Sequence, residues 1–91
     1  MATLLWGFVV DANGICIRDA TVEIVRGQRT GEIVKQETPC DAWGYYGGFQ
    51  FKGLVSGGEL TVRASAPGYR SAEATFTPVN HTVSIDLQRI E

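Results

Sequence analysis

The chain has 91 residues and a net charge of −2, with ten acidic side chains against eight basic ones. The basic residues are scattered, which excludes the electrostatic footprint of a nucleic-acid or anionic-membrane binder. No apolar run reaches the roughly 20 residues that a membrane-spanning helix needs.

The length suits one domain over residues 1–91, with a small core, because a chain of this size buries only about two thirds of its unfolded surface. The opening apolar stretch has no basic flank and no small-residue cleavage site, so it reads as a first strand over residues 4–11 and not as a signal peptide. On that reading a complete chain is expected in the cytoplasm. A turn over 12–19 leads to a second strand over 20–26, a Gly-bearing hairpin at 27–31 and a third strand over 32–40. A fourth strand covers 49–54, and 55–58 turns the chain. The fifth, over 59–66, alternates, with Leu60, Val62 and Ala64 on one face and Thr61, Arg63 and Ser65 on the other. A turn at 67–71 precedes strands over 72–77 and 82–88. No segment holds a helical period. Seven short strands with Asp- and Gly-bearing turns predict an all-β, seven-stranded Greek-key β-sandwich. Its expected core is Val9, Val22, Ile24, Phe51, Leu54, Leu60, Val62, Phe76, Val83, Ile85 and Leu87.

The series Gly7-x-Val9-x-Asp11-x-x-Gly14, Ala20-x-Val22, Thr38-x-x-Asp41-x-x-Gly44, Phe49-x-Phe51-x-Gly53-Leu54 and Gly68-Tyr69 resembles the carboxypeptidase regulatory-like domain family. The resemblance implies a prealbumin-like (transthyretin-like) sandwich. It also implies a non-catalytic accessory domain, of a kind often found beside peptidases or in exported surface proteins, with no cofactor. Tyr45-Tyr46-Gly47-Gly48 departs from the family pattern, which runs almost directly from the Asp-x-x-Gly turn to the aromatic strand. The same fold hosts a ureide-ring hydrolase, but its His and Arg set and its Tyr-Arg-Gly-Ser C-terminus are missing from a chain with one His. An enzyme is therefore not expected.

If successive strands alternate direction, the turns near residues 12–19, 41–48 and 67–71 share one end of the sandwich. Ligands of β-sandwich domains bind at such loop ends. Trp43, Tyr45, Tyr46, Tyr69 and Arg70 are the candidate ligand-binding residues there, for a carbohydrate or a peptide. The alternative is that the rings cap the open end of the core. Asp11, Asn13, Asp19 and Asp41 match no defined calcium loop and read as turn-capping residues, so no metal is expected. Cys16 and Cys40 fall at this same end, either as a disulfide or as two reduced, half-buried thiols. Asn80-His81-Thr82 is a formal glycosylation sequon with no chemistry attached to its His. Finally, strand period places Trp6, Phe8 and Val10 on an outer face, where an exposed apolar row would mark an interface with a second copy or a neighbouring domain.

Overall fold

The alternating segments form seven strands: β1 (Ala2–Val10), β2 (Thr21–Arg26), β3 (Ile33–Lys35), β4 (Phe49–Val55), β5 (Leu60–Ser65), β6 (Ala72–Phe76) and β7 (His81–Asp86). They are seen in a computed structural model that describes residues 2–38, 40, 47–78 and 81–90. Two sheets result, one of three strands in the order β4-β1-β7 and one of four in the order β3-β2-β5-β6. All neighbouring strands run antiparallel except β1 and β7, which are parallel. The all-β sandwich expected from the turns is therefore the architecture of the chain.

The core lies between the sheets. Val9, Val22, Ile24, Phe51, Leu54, Leu60, Val62, Ile85 and Leu87 are buried as expected, joined by Leu5, Ile17, Ala20, Phe49 and Ala64. Phe76 and Val83 are only half-buried and pack on the rim, since β6 and β7 are edge strands. A bulge explains why Phe49, Phe51 and Leu54 all point inward although their numbers change parity. Leu5 faces Phe51 but Thr3 faces Leu54, so β4 spends three residues where β1 spends two. Gly53, at φ 75°, takes up the extra residue.

Two corrections concern β1 and β3. The third strand does not run over 32–40; it ends at Lys35, because Gln36 turns its side chain into the sandwich and is 3 % exposed. Its Nε2 donates to the carbonyls of Val9 (3.0 Å) and Ile17 (2.7 Å), and its Oε1 accepts from the Val9 N–H (2.7 Å). Val9 lies two residues past Gly7, where the β1–β4 ladder stops. The glutamine amide thus serves groups that a longer β4 would have paired.

The second correction concerns Trp6, Phe8 and Val10. They do face away from the core, but they form no exposed row. Phe8 is 2 % exposed, Val10 is 4 % exposed and Trp6 is half-buried. The chain covers them itself. Trp6 Nε1 donates to the Gly47 carbonyl (3.1 Å), the Phe8 ring lies against Gly48, and Val10 pairs with Cys16. The Trp6 and Phe8 rings stack at a tilt, 5.5 Å between centroids. The exposed patch on which self-association rested is therefore absent.

At the far end of the sandwich the β2–β3 hairpin closes the gap between sheets. Gln28 both donates to and accepts from the backbone of Val55 (2.7 and 2.8 Å). Arg29 donates to the Lys52 carbonyl (2.7 Å) and forms a two-point ion pair with Glu32. That hydrogen-bonded guanidinium holds the Glu32 carboxyl below the usual carboxylate range.

Two tests follow from these contacts. Gln36→Leu leaves the Val9 N–H without its acceptor and the Ile17 carbonyl without this donor; urea denaturation should show a loss of about 3 kcal/mol, against less than about 0.5 for Gln50→Leu on the exposed face. A midpoint unchanged by Gln36→Leu would remove the amide from any structural role. Because the folded-state pKa of Glu32 is depressed, its contribution is complete above the ordinary carboxylate pKa and is lost as pH falls through the lowered value. Between about pH 5 and pH 3 the wild-type melting temperature should therefore fall more steeply than that of Glu32→Gln. Parallel curves would show that the exposed pair is energetically silent.

Candidate functional site

Strand directions gather the β1–β2, β3–β4 and β5–β6 connections at one end, together with the segment that follows β7. The β1–β2 connection is shaped by Asp11. Its Oδ1 accepts from the N–H groups of Asn13 (2.8 Å) and Ile15 (3.0 Å), an Asx turn completed by Gly14 at φ 78°. Asp19, by contrast, pairs with Lys35 at 3.4 Å. The structure brings Asp11 and Asn13 together and sends Asp19 elsewhere; Asp41 lies outside the described residues. Among the described residues no cluster of three acidic, His or Cys side chains could hold a metal ion.

The β5–β6 connection turns at Gly68, at φ 82°, and is then laid against the chain that leaves β7. The Arg70 N–H donates to the Gln88 carbonyl (2.8 Å), the Ile90 N–H donates to the Gly68 carbonyl (3.0 Å), and Tyr69 bridges to Arg89. Tyr69 packs half-buried against the core, and the Arg89 guanidinium lies over its ring, 5.9 Å from the centroid. Between this pair of segments and the Asx turn lies an open cleft of about 590 Å³, lined by Asp11, Asn13, Tyr69, Arg70, Gln88 and Arg89 among others. Tyr69 and Arg70 both line this cleft. Trp43, Tyr45 and Tyr46 lie outside the described residues. Gln88 and Arg89 carry no local signal, because their place depends on pairing with a turn some twenty residues earlier.

Cys16 and Cys40 are joined by a disulfide, with 6.1 Å between their Cα atoms. It ties the β1–β2 connection to the β3–β4 connection. Beside it runs a groove of about 210 Å³ lined by Ile15, Cys16, Arg18, Thr38 and Cys40. Just inside it, Glu37 and Gly48 exchange two backbone hydrogen bonds (2.8 and 2.9 Å). The base of the loop that carries the aromatic residues is thus clamped twice.

The family model of the carboxypeptidase regulatory-like domain matches residues 5–88, from β1 to just past β7. The chain belongs to this family. As a carboxypeptidase regulatory-like domain it has the prealbumin-like sandwich described above, and the family is a non-catalytic, accessory one. No curated protein matches the chain.

The disulfide closes a loop with a sequence separation of 24 residues. Replacing both cysteines by Ser should lower stability by about 3 kcal/mol through the released loop entropy. Urea midpoints with and without reductant check this, and equal midpoints would show that Glu37 and Gly48 hold the loop base unaided.

Proposed function

We propose that this carboxypeptidase regulatory-like domain is a binding module whose ligand sits at the end of the sandwich formed by the β1–β2 and β5–β6 connections and the segment after β7. The observation that carries this reading is the open cleft where Tyr69, Arg70 and Arg89 meet Asp11 and Asn13. It is supported by the shape of the surface there: concave, lined by polar groups, and built on backbone that long-range hydrogen bonds hold in place. The β3–β4 connection starts and ends at the same end of the sandwich, and its sequence includes Trp43, Tyr45 and Tyr46, residue types suited to a carbohydrate or a peptide. The non-catalytic character of the family supports a module that recognises and does not convert its ligand. The disulfide supports residence in an oxidising compartment.

The test is binding of the wild-type chain to glycan and peptide arrays, repeated with Trp43→Ala together with Tyr46→Ala. The double variant should keep its melting temperature within a few degrees and lose at least tenfold in affinity for whatever the wild type retains. A double variant that unfolds would make the rings core caps. A wild type that binds nothing on either array would sink the module reading.

A further inference from the structure

β3 and β4 begin as the arms of a hairpin and then separate. Where the arms meet, Glu37 and Gly48 exchange both backbone hydrogen bonds (2.8 and 2.9 Å). In that antiparallel register Lys35 would face Gln50 and Ile33 would face Lys52. They do not pair, because β3 belongs to the four-stranded sheet and β4 to the three-stranded one. The arms leave between them a groove of about 460 Å³, lined by Val34, Lys35, Glu37, Gly48, Gln50 and Lys52. Beyond it Arg29 reaches from the β2–β3 hairpin to the Lys52 carbonyl (2.7 Å).

Strand alternation fixes which backbone groups face this groove. On β3 the Gln36 N–H donates to Ala20 and the Glu32 carbonyl accepts from Ile24, so the even-numbered residues turn to β2. The N–H and C=O groups of Ile33 and Lys35 therefore turn outward, as those of Glu37 do. On β1 the Val9 backbone groups face the β4 side, where the Gln36 amide meets them. By the same alternation Leu5 and Gly7 bond to Phe51 and Phe49. The N–H and C=O of Gln50 and the N–H of Lys52 are left turned outward, and the Lys52 carbonyl is the one that Arg29 takes. Apart from Glu37 and that carbonyl, none of these outward groups has a hydrogen-bond partner among the described residues. Two unpaired edges thus border one groove. Sheets packed face to face stand about 10 Å apart and neighbouring strands about 4.8 Å, so one extended chain between the edges lies one hydrogen-bonding step from each. Val34, packed half-buried against the core, supplies an apolar contact. Lys35 and Lys52 are exposed at the rims, so a second copy pairing through the same edges would bring like charges together.

We infer that the groove between β3 and β4 takes an extended peptide strand, apolar at its centre and acidic on either side, by strand addition. This surface is separate from the cleft at Asp11 and Tyr69. The segment runs antiparallel to β3. Its two acidic residues exchange backbone hydrogen bonds with Ile33 and Lys35, and their carboxylates lie on the side of the rim lysines. The central side chain rests on Val34, and the backbone groups of that central residue face Gln50.

The test is a titration of the ¹⁵N-labelled wild-type chain with millimolar Ac-Thr-Glu-Val-Glu-Thr-NH2, and with the same peptide methylated at both Glu nitrogens. The amides of residues 33, 35, 50 and 52 should exchange fast in the free chain. With the unmethylated peptide they should shift and exchange about fivefold or more slowly. The methylated peptide, which lacks the two donors to β3, should move none of them. Proline is tolerated where a strand N–H faces away from its ladder, so Lys35→Pro should keep the fold. It should bind about tenfold more weakly than Lys35→Gln, which removes the charge and keeps the donor. If the unmethylated peptide moves none of the four amides, or if the methylated peptide binds equally well, the inference fails. Slow exchange of the four amides without peptide that is lost on dilution would put a second copy in the groove and overturn it. Shifts confined to residues 11–13, 69–70 and 87–89 would also overturn it and leave the module reading standing.

Discussion

The Gln36 side-chain amide is the contact on which the architecture of this end depends. A sandwich of two open sheets has to finish its ladders somewhere, and an unfinished ladder inside the molecule leaves buried N–H and C=O groups that each cost about 1–3 kcal/mol. Here β4 starts opposite Gly7, while β1 continues to Val10. Gln36 supplies a donor and an acceptor in place of the missing strand, and its second amide proton reaches Ile17 in the β1–β2 connection. One residue of the β3–β4 connection thus fixes the end of β1, the start of the first turn and its own loop base. Its backbone N–H bonds to Ala20 at the start of β2 (2.8 Å), so it also joins the two sheets. At the far end Gln28 does the same for Val55. Both glutamines flank β3, the shortest strand, so the sheets are joined along this side largely by side-chain amides.

With the loop base fixed, the outer face of β1 can be apolar. Gly48 sits at φ 85°, and a side chain there would collide with the Gly7 carbonyl and the Phe8 ring. Gly7 in turn has no room for a Cβ between Val83 and Phe49. The absence of a side chain at Gly48 lets the chain approach β1 closely enough to cover Phe8, and the Gly47 carbonyl beside it receives the Trp6 indole N–H. The Gly47–Gly48 pair, a departure from the family pattern, therefore has a local physical purpose. It seals aromatic residues that the period of β1 would otherwise present to water.

What was legible in the sequence followed from short-range rules. Turn residues such as Asp11 and Gly14 and the alternation of Leu60, Val62 and Ala64 locate strands and core, and they do so correctly. What was not legible depended on contacts between distant residues. Nothing local to Gln36 says that its amide will serve Val9, 27 residues earlier, so the third strand read too long. Period alone says that Phe8 points outward, and it does; that Gly48 then lies on it is a property of the folded chain. The same holds for the cleft. Tyr69 and Arg70 sit in a visible turn, whereas Arg89 enters only through the bridge to Tyr69. The aromatic residues of the loop, Trp43, Tyr45 and Tyr46, lie outside the described residues, so they have no place in that comparison.

The two ends of the sandwich differ in how their polar groups are used. At the hairpin end Gln28 and Arg29 are bonded to the β4 backbone, and Arg29 also pairs with Glu32. That end is closed by its own side chains. At the opposite end structural work is done by groups that carry no net cation: the Gln36 amide, the Asp11 turn, the disulfide and backbone pairs. Arg70 and Arg89 take no part in it: both side chains are exposed, and neither forms an ion pair with another described residue.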